Sequence, residues 1–164
     1  MITLVAGGNG SGKSRFAESL IDTLPGPRIY IATMDPQNEE NQKRIEKHRR
    51  QRANLHFTTV EEPWQVSRVP IPDGAAVLLE DVSNLLGNVL FAAGGSREQA
   101  LSEIRSLAGK CANLVMVAIT GLEDAAYDGE TAAYIRDIRW LNGELYTLSD
   151  RVLEMRDGIP VQIK

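Results

Sequence analysis

The feature that most constrains the fold is the segment at residues 7–14, Gly-Gly-Asn-Gly-Ser-Gly-Lys-Ser. It matches the phosphate-binding pattern G-x-x-x-x-G-K-[ST] at every position. Residues 2–5 before it form an aliphatic, β-branched run that is typical of a strand. After it, apolar residues recur at helical spacing until Pro25-Gly26-Pro27 ends the pattern. Because a strand, a glycine loop and a helix follow one another, we predict a nucleotide-binding site here.

Each residue type in this loop has a physical reason for its position. Glycines allow backbone torsions that point successive N–H groups at one anion, and the following helix adds positive charge at its N-terminus. We expect Lys13 to reach the outer phosphates as a catalytic residue and Ser14 to bind Mg²⁺. The alternative is a glycine-rich turn with an exposed lysine. The predicted phosphate-binding residues are Gly7, Gly8, Asn9, Gly10, Ser11, Gly12, Lys13 and Ser14.

Composition narrows the class of protein. A length of 164 residues predicts a single domain over residues 1–164, and 43% hydrophobic with 24% charged residues is ordinary for a globular protein. The formal net charge of −4 argues against a nucleic-acid partner. One cysteine, Cys111, excludes an internal disulfide and suits a cytoplasmic location. No apolar run approaches the roughly 20 residues of a membrane span, and the N-terminal strand leaves no room for a signal peptide.

Strands and helices alternate along the rest of the chain. Strands are predicted at residues 28–33, 55–60, 75–81 and 113–119, and helices at residues 38–52, 83–91, 96–111 and 131–141. Asp157-Gly158 lies between two further strand-like runs, which predicts a hairpin. The pattern predicts an α/β, P-loop NTPase-like fold with a mostly parallel sheet flanked by helices and an antiparallel C-terminal hairpin.

The strand at residues 75–81 ends in two acidic residues, Glu80 and Asp81. Phosphate-loop proteins place a carboxylate near Mg²⁺ at the carboxyl edge of a strand in this way. Spacing does not decide between Glu80 and Asp81. The alternative is a buried strand that ends in polar residues without binding a metal ion.

The helix predicted at residues 38–52 contains one aliphatic residue, Ile45. Arg44 and His48 are four residues apart and share a face, with Gln51 and Arg52 one turn further along. One interpretation is a solvated surface helix. The other is a cationic face whose histidine meets a phosphorylated ligand.

Six segments resemble, in the same order, the bifunctional adenosylcobinamide kinase / adenosylcobinamide-phosphate guanylyltransferase family of cobalamin biosynthesis. They lie at residues 7–18, 30–33, 44–52, 59–61, 78–80 and 88–91. The most specific are Y-I-A-T at residues 30–33 and R-I-x-x-H-R at residues 44–49. A looser match at residues 135–137, 142 and 158–164 extends the resemblance over nearly the whole chain.

The resemblance implies two reactions and a set of site residues. A kinase step phosphorylates adenosylcobinamide with ATP or GTP. In the second step GTP gives GMP to a histidine, at the position of His48, which passes it to adenosylcobinamide phosphate. Ser14 and Glu80 would bind Mg²⁺, and the family forms homo-oligomers described as trimers. The implied nucleotide contacts outside the loop are Ile31, Ala32, Thr33, Arg49, Arg50, Gln51, Arg52, Glu61 and Glu80.

The sequence departs from the family pattern in places. The usual V-T-N-E-V-G-x-G-I-V-P block falls at about residues 117–127, which lack its asparagine, acid and proline. Ala53 replaces a proline, and Asp81 stands where a small residue is common. Two alternatives therefore stay open: a single-activity P-loop small-molecule kinase with an inert His48, and a divergent nucleotide-binding paralogue without corrinoid activity. The identity of these residues does not give the purine preference.

Overall fold

The computed structural model describes residues 1–37 and 39–164. In this part of the chain seven strands form one sheet. The strands are β1 (Ile2–Gly7), β2 (Arg28–Ala32), β3 (Thr58–Glu61), β4 (Ala76–Glu80), β5 (Asn113–Ile119), β6 (Arg151–Arg156) and β7 (Ile159–Gln162). The α-helices are α1 (Lys13–Asp22), α2 (Glu39–Gln51), α3 (Val82–Gly87), α4 (Arg97–Ala108) and α5 (Gly129–Leu148).

The sheet has the order β3-β2-β4-β5-β1-β6-β7. Every neighbouring pair is parallel except β6 and β7, which pair antiparallel. The turn between these two strands places Asp157 at φ 50 and Gly158 at φ 77, the positive torsions that a tight hairpin requires. The predicted fold class, with its parallel sheet and terminal hairpin, is confirmed.

Helices cover both faces of the sheet. Because side chains alternate along a strand, Ile29 and Ile31 of β2 join a core with α3, α4 and α5, whereas Tyr30 and Ala32 join a core with α1. The carboxyl ends of β1, β2 and β4 meet at one edge of the sheet, where the phosphate loop follows β1. None of the helices in the described ranges is long and apolar enough to cross a membrane.

Several predicted boundaries differ from the structure. The strand predicted from residue 55 begins at Thr58, because Ala53–Leu55 form a 3₁₀ turn and His56 has a φ of 54. The last helix extends to Leu148, since Leu145 continues its buried stripe. The segment predicted as one helix at residues 83–91 is α3 followed by a π-helical turn, Asn88–Ala92. Asn38, the predicted start of the polar helix, lies outside the described residues.

Candidate active site

The phosphate loop and α2 line the same cleft, which has a volume of about 1060 Å³. Loop and α1 residues lie on one side, and residues of α2 and its C-terminal extension lie on the other. The carboxyl ends of β2 and β4 contribute Ala32 and Glu80. The structure therefore brings together, within one chain, the predicted phosphate site and the predicted histidine helix.

The loop leaves its N–H groups available for an anion. Gly10 and Gly12 have positive φ values of 72 and 84, and no side chain caps the N-terminus of α1. Within the described ranges, the amides of Gly10, Gly12, Lys13 and Ser14 donate to no protein acceptor. The Lys13 ammonium donates to the Gly8 carbonyl at 3.2 Å and so lies along the loop. This arrangement suits binding of a phosphate group.

Ser14 and Glu80 both line the cleft and contact each other. Ser14 Oγ donates to Glu80 Oε1 at 2.6 Å, while Glu80 Oε2 is buried without a partner in the described part of the chain. Burial, and then the nearby Asp81 charge, raise the pKa of Glu80 to about 8. A hydroxyl beside an orphaned buried carboxylate oxygen fits the oxygen donors that Mg²⁺ prefers. Ser14 and Glu80 would hold the ion.

Asp81 has a different role from Glu80. Its Oδ1 accepts from the backbone N–H of Asn84 at 2.7 Å and from the Ser83 hydroxyl at 2.7 Å, which caps α3. A carboxylate engaged in a helix cap is less available to a metal. The geometry thus supports Glu80 over Asp81 as the Mg²⁺ ligand, a choice that the sequence left open.

His48 lies on the cleft side of α2. Partial burial lowers its pKa first, and the neighbouring cations Arg52, Arg44 and Lys47 lower it further, while Asp81 acts in the opposite direction. The imidazole is therefore held in its neutral form at pH 7, with a lone pair available for attack on phosphorus.

The C-terminal end of α2 is attached to the sheet through Arg52. Its side chain is 4% exposed, and its guanidinium carbon lies 3.7 Å from the centroid of the Tyr30 ring. Tyr30 in turn makes an edge contact with Phe57, with ring centroids 5.6 Å apart. Glu18 of α1 faces the same part of the cleft and is 7% exposed.

Some predicted nucleotide contacts lie outside this cleft. Arg49 pairs with Glu61, and Arg50 pairs with Glu46 at 3.0 Å on the outer face of α2. Ile31 is fully buried against the opposite face of the sheet. These residues, like the rest of the set, stay predictions.

Thr33 has a structural position at the end of β2. Its hydroxyl donates to the carbonyls of Glu80 and Asp81 at 3.0 and 2.8 Å, and it accepts from the Asp81 amide at 2.8 Å. Thr33 is completely buried, so its side chain fixes the strand end that presents Glu80.

Several lining residues were absent from the predicted site. Two of them had a usable signal: Glu18 follows Ser14 by four residues and Arg44 precedes His48 by four, so each shares a helical face with a predicted site residue. Tyr30 and Asn84 had no such signal in the sequence, because packing between elements distant in sequence brings them to the cleft. The residues missed are Arg15, Glu18, Ser19, Asp22, Tyr30, Met34, Arg44, Ile45, Asn54, Leu55, Ser83, Asn84 and Ile119.

Comparison with known proteins gives matches over nearly the whole chain. Residues 3–163 match the family described as cobinamide kinase / cobinamide phosphate guanyltransferase. The chain is 35% identical over 184 residues to the bifunctional adenosylcobalamin biosynthesis protein CobU of Escherichia coli strain K12, with 100% of both chains covered. It is 34% identical to CobU of Salmonella typhimurium, again with 100% of both covered, and 30% identical to CobP of Pseudomonas aeruginosa, with 100% of this chain and 98% of the relative covered.

A solved structure supports the fold independently. An ATPase from the type III secretion system of pathogenic bacteria superposes with a TM-score of 0.52 at 10% identity. The match covers 98% of this chain and 56% of that ATPase. At this identity the likeness concerns the fold alone. The family match over nearly the entire chain, together with three full-length relatives at 30–35% identity, shows that the chain belongs to the cobinamide kinase / cobinamide phosphate guanyltransferase family.

Proposed function

We propose that this chain, as one domain over residues 1–164, phosphorylates adenosylcobinamide and then transfers GMP from GTP to adenosylcobinamide phosphate, giving adenosylcobinamide-GDP. One observation supports this proposal above all: His48 lines the same cleft as Lys13 and Ser14. A triphosphate held by the loop therefore lies in the cleft that the imidazole also faces.

In the kinase reaction, the hydroxyl oxygen of the aminopropanol arm attacks the γ-phosphorus of ATP or GTP. The bond from that phosphorus to the bridging oxygen breaks, the nucleoside diphosphate leaves, and the hydroxyl proton is released. The loop amides and Lys13 hold the phosphates in position and stabilise the negative charge of the transition state. When bound at Ser14 and Glu80, Mg²⁺ would supply further positive charge to the phosphates.

In the guanylyl transfer, a neutral ring nitrogen of His48 attacks the α-phosphorus of GTP. A P–N bond forms, the bond to the pyrophosphate oxygen breaks, and pyrophosphate leaves from the loop. A phosphate oxygen of adenosylcobinamide phosphate then attacks the same phosphorus, which breaks the P–N bond and returns free His48. The covalent intermediate divides one difficult transfer into two steps.

The charges around His48 support this chemistry. Arg44 and Arg52 both line the cleft on the side of α2, where they would neutralise charge on the transferred group. Gln51 lines it as well. Arg49, Arg50 and Glu61 are proposed as nucleotide contacts on the family match alone, and Ile31, Ala32 and Thr33 as the strand end beside the nucleotide.

We place these reactions in the cytoplasm and assign the protein a homo-oligomeric state, a trimer by family resemblance. Its partners would be adenosylcobinamide and its phosphate. The polar helix α2, which buries only Ile45 among its described residues, would gain support from a neighbouring subunit.

A kinase without guanylyl transfer is the second candidate function. The altered block at residues 117–127 favours it, because this block begins in the last residues of β5 and continues beside the phosphate loop. The Thr120 amide donates to the Gly7 carbonyl at 3.0 Å.

Incubation with GTP labelled at the α-phosphate, in the presence of Mg²⁺, tests the proposal. We expect an acid-labile, base-stable label on His48, lost in His48→Asn while corrinoid-dependent ATP consumption continues. His56→Asn is a matched control, since His56 is exposed and asparagine tolerates its positive φ of 54. A label that survives in His48→Asn would contradict the assigned nucleophile, and a wild-type protein that consumes ATP but never labels would be the kinase of the second candidate.

A further inference from the structure

Asn88 lies outside the lining of the cleft, where α3 passes into the π-helical turn Asn88–Ala92. Its side-chain amide nitrogen donates to two backbone carbonyls, that of Thr33 at 2.7 Å and that of Pro63 at 3.0 Å. Both N–H groups of the amide are therefore used. Thr33 directly follows β2, and Pro63 is the second residue after β3. One side chain thus joins the ends of two neighbouring strands at the edge of the sheet that forms the site.

Thr33 connects Asn88 to Glu80. The Thr33 amide donates to the Glu80 carbonyl at 3.0 Å, in addition to the contacts of the Thr33 hydroxyl with the backbone of Glu80 and Asp81. Thr33 is completely buried, so its carbonyl would lose its donor without gaining water if the Asn88 amide were removed. A buried carbonyl without a donor is costly, and the strand end would have to shift to satisfy it.

The helix α3 closes this set of contacts into a ring. Its N-terminus is fixed to the end of β4 by the Asp81 cap, and Asn88 follows its last residue and holds β2. The ring runs from Glu80 through Asp81, α3, Asn88 and Thr33 back to Glu80. The turn at Asn88 is closed by a bond from the Ala93 amide to the Asn88 carbonyl at 3.0 Å, and π-helical turns of this kind are frequent at functional sites.

The ring ends on the residue that faces Ser14. Mg²⁺ requires a nearly ideal octahedral arrangement of oxygens, so a ligand on a displaced strand end would bind it poorly. Partners that orient a metal ligand without touching the ion commonly affect metal affinity as strongly as this requirement suggests. The contacts of Asn88 are therefore suited to keep the Glu80 carboxylate beside the Ser14 hydroxyl.

We propose that Asn88 is a positioning residue that acts through Thr33 to hold Glu80 where it binds the Mg²⁺ of the bound nucleotide. This inference rests on the Mg²⁺ site proposed at Ser14 and Glu80. Asn88 touches neither the ion nor a reacting atom in this arrangement. Its removal should therefore weaken the Mg²⁺-dependent part of nucleotide binding and leave the Mg²⁺-independent part unchanged.

The test measures nucleotide affinity by titration calorimetry, once at saturating Mg²⁺ and once in EDTA. The probe is a GTP analogue with a methylene bridge between the α- and β-phosphorus, which cannot release pyrophosphate, so the result does not depend on guanylyl transfer. In wild type we expect Mg²⁺ to tighten binding. In Asn88→Ala we expect this Mg²⁺-dependent gain to fall about 10-fold, with the affinity in EDTA unchanged. Asn88→Leu, which keeps the volume without the donors, should behave in the same way.

Asn142→Ala is the matched control. The Asn142 amide donates to the Ile119 carbonyl at 2.8 Å, so this variant also loses a hydrogen bond from a helical asparagine to a strand end. That strand is β5, which carries no proposed metal ligand, and the Mg²⁺-dependent gain should stay at the wild-type value. The calorimetric stoichiometry counts the folded molecules in each sample, so partial unfolding lowers it without changing the gain.

The route through Thr33 is tested by a double-mutant cycle. Thr33→Val removes the hydroxyl and should also reduce the Mg²⁺-dependent gain, and Asn88→Ala/Thr33→Val should lose no more than the larger single loss. Additive losses would overturn the proposed route. A full gain in Asn88→Ala, an equal loss of affinity with and without Mg²⁺, or no binding by either Asn88 variant would overturn the positioning role. A wild-type gain that Glu80→Gln retains would overturn the Mg²⁺ site itself, as would a wild type that shows no gain.

Discussion

Arg52 stacks on Tyr30, with its guanidinium carbon 3.7 Å from the ring centroid and both side chains buried. Tyr30 belongs to β2 and Arg52 directly follows α2, so this contact attaches the polar helix to the sheet. The Arg52 amide also donates to the His48 carbonyl at 3.2 Å, which places the attachment one turn from the proposed nucleophile. Because Ile45 is the buried residue of α2, the stack is a major part of what positions His48.

We expect Tyr30→Leu to lower the rate of His48 labelling about 10-fold. The substitution removes a desolvated cation–π contact, worth about 1–2 kcal/mol, and the edge contact with Phe57. Tyr30→Phe is the matched control, since it keeps the ring and the tyrosine hydroxyl makes no hydrogen bond in the described part of the chain. Labelling kinetics and hydrogen exchange of the α2 amides measure the effect. Full labelling by Tyr30→Leu, or an equal loss in Tyr30→Phe, would count against this attachment.

Arg44→Ala should reduce His48 labelling about 10-fold, since Arg44 lines the cleft and would neutralise charge on the transferred group. Its neighbour Lys43 lies on the outer face of the same helix. Lys43→Ala therefore removes the same formal charge from α2 without removing it from the cleft. Single-turnover labelling of the two variants gives the comparison. Equal losses would assign the effect to the overall charge of the helix.

The fold and the position of the glycine loop between β1 and α1 were predictable because their signals are local. The loop at residues 7–14 is a contiguous pattern, and the alternation of buried strands with helices follows from side-chain periodicity. The Asp157-Gly158 turn likewise needs positive φ at two adjacent residues, and Asp-Gly is a residue pair that favours such a turn.

The remaining parts of the site depend on contacts between distant segments. Arg52 and Tyr30 are far apart in sequence, and no spacing rule pairs a cation with a ring. Glu80 and Asp81 are adjacent in sequence. Their roles differ only because α3 begins directly after Asp81, so that Asp81 caps this helix and Glu80 does not. Arg49 and Glu61 were both predicted as nucleotide contacts, and the ion pair between them follows only from the position of β3. A single sequence does not show such partners.

The imidazole of His48 should titrate below the ordinary histidine pKa of about 6.5. Burial and the cations Arg52, Arg44 and Lys47 all disfavour its protonated form, and Asp81 only partly offsets them. Labelling requires the neutral ring, so its rate should rise with pH through this lowered pKa and level off before pH 7. Titration of the His48 signals by NMR in the nucleotide-free protein gives the pKa directly. Arg44→Ala should raise it, and a wild-type midpoint above 6.5 would contradict the proposed electrostatics.

Glu80→Gln should change how the free energy of unfolding depends on pH. The pKa of Glu80 is about 8 in the folded chain against 4.5 for the free side chain, so between these values the folded state holds a proton that the unfolded state has lost. The contribution of Glu80 to wild-type stability must therefore fall as pH rises from 4.5 to 8, by up to a few kcal/mol. Glutamine cannot ionise, so the variant should gain stability relative to wild type as pH rises. Urea unfolding of the nucleotide-free proteins from pH 5 to 9 measures this, with the exposed Glu130→Gln as control. Parallel profiles for wild type and Glu80→Gln would mean that Glu80 is ionised throughout, and the raised pKa would be wrong.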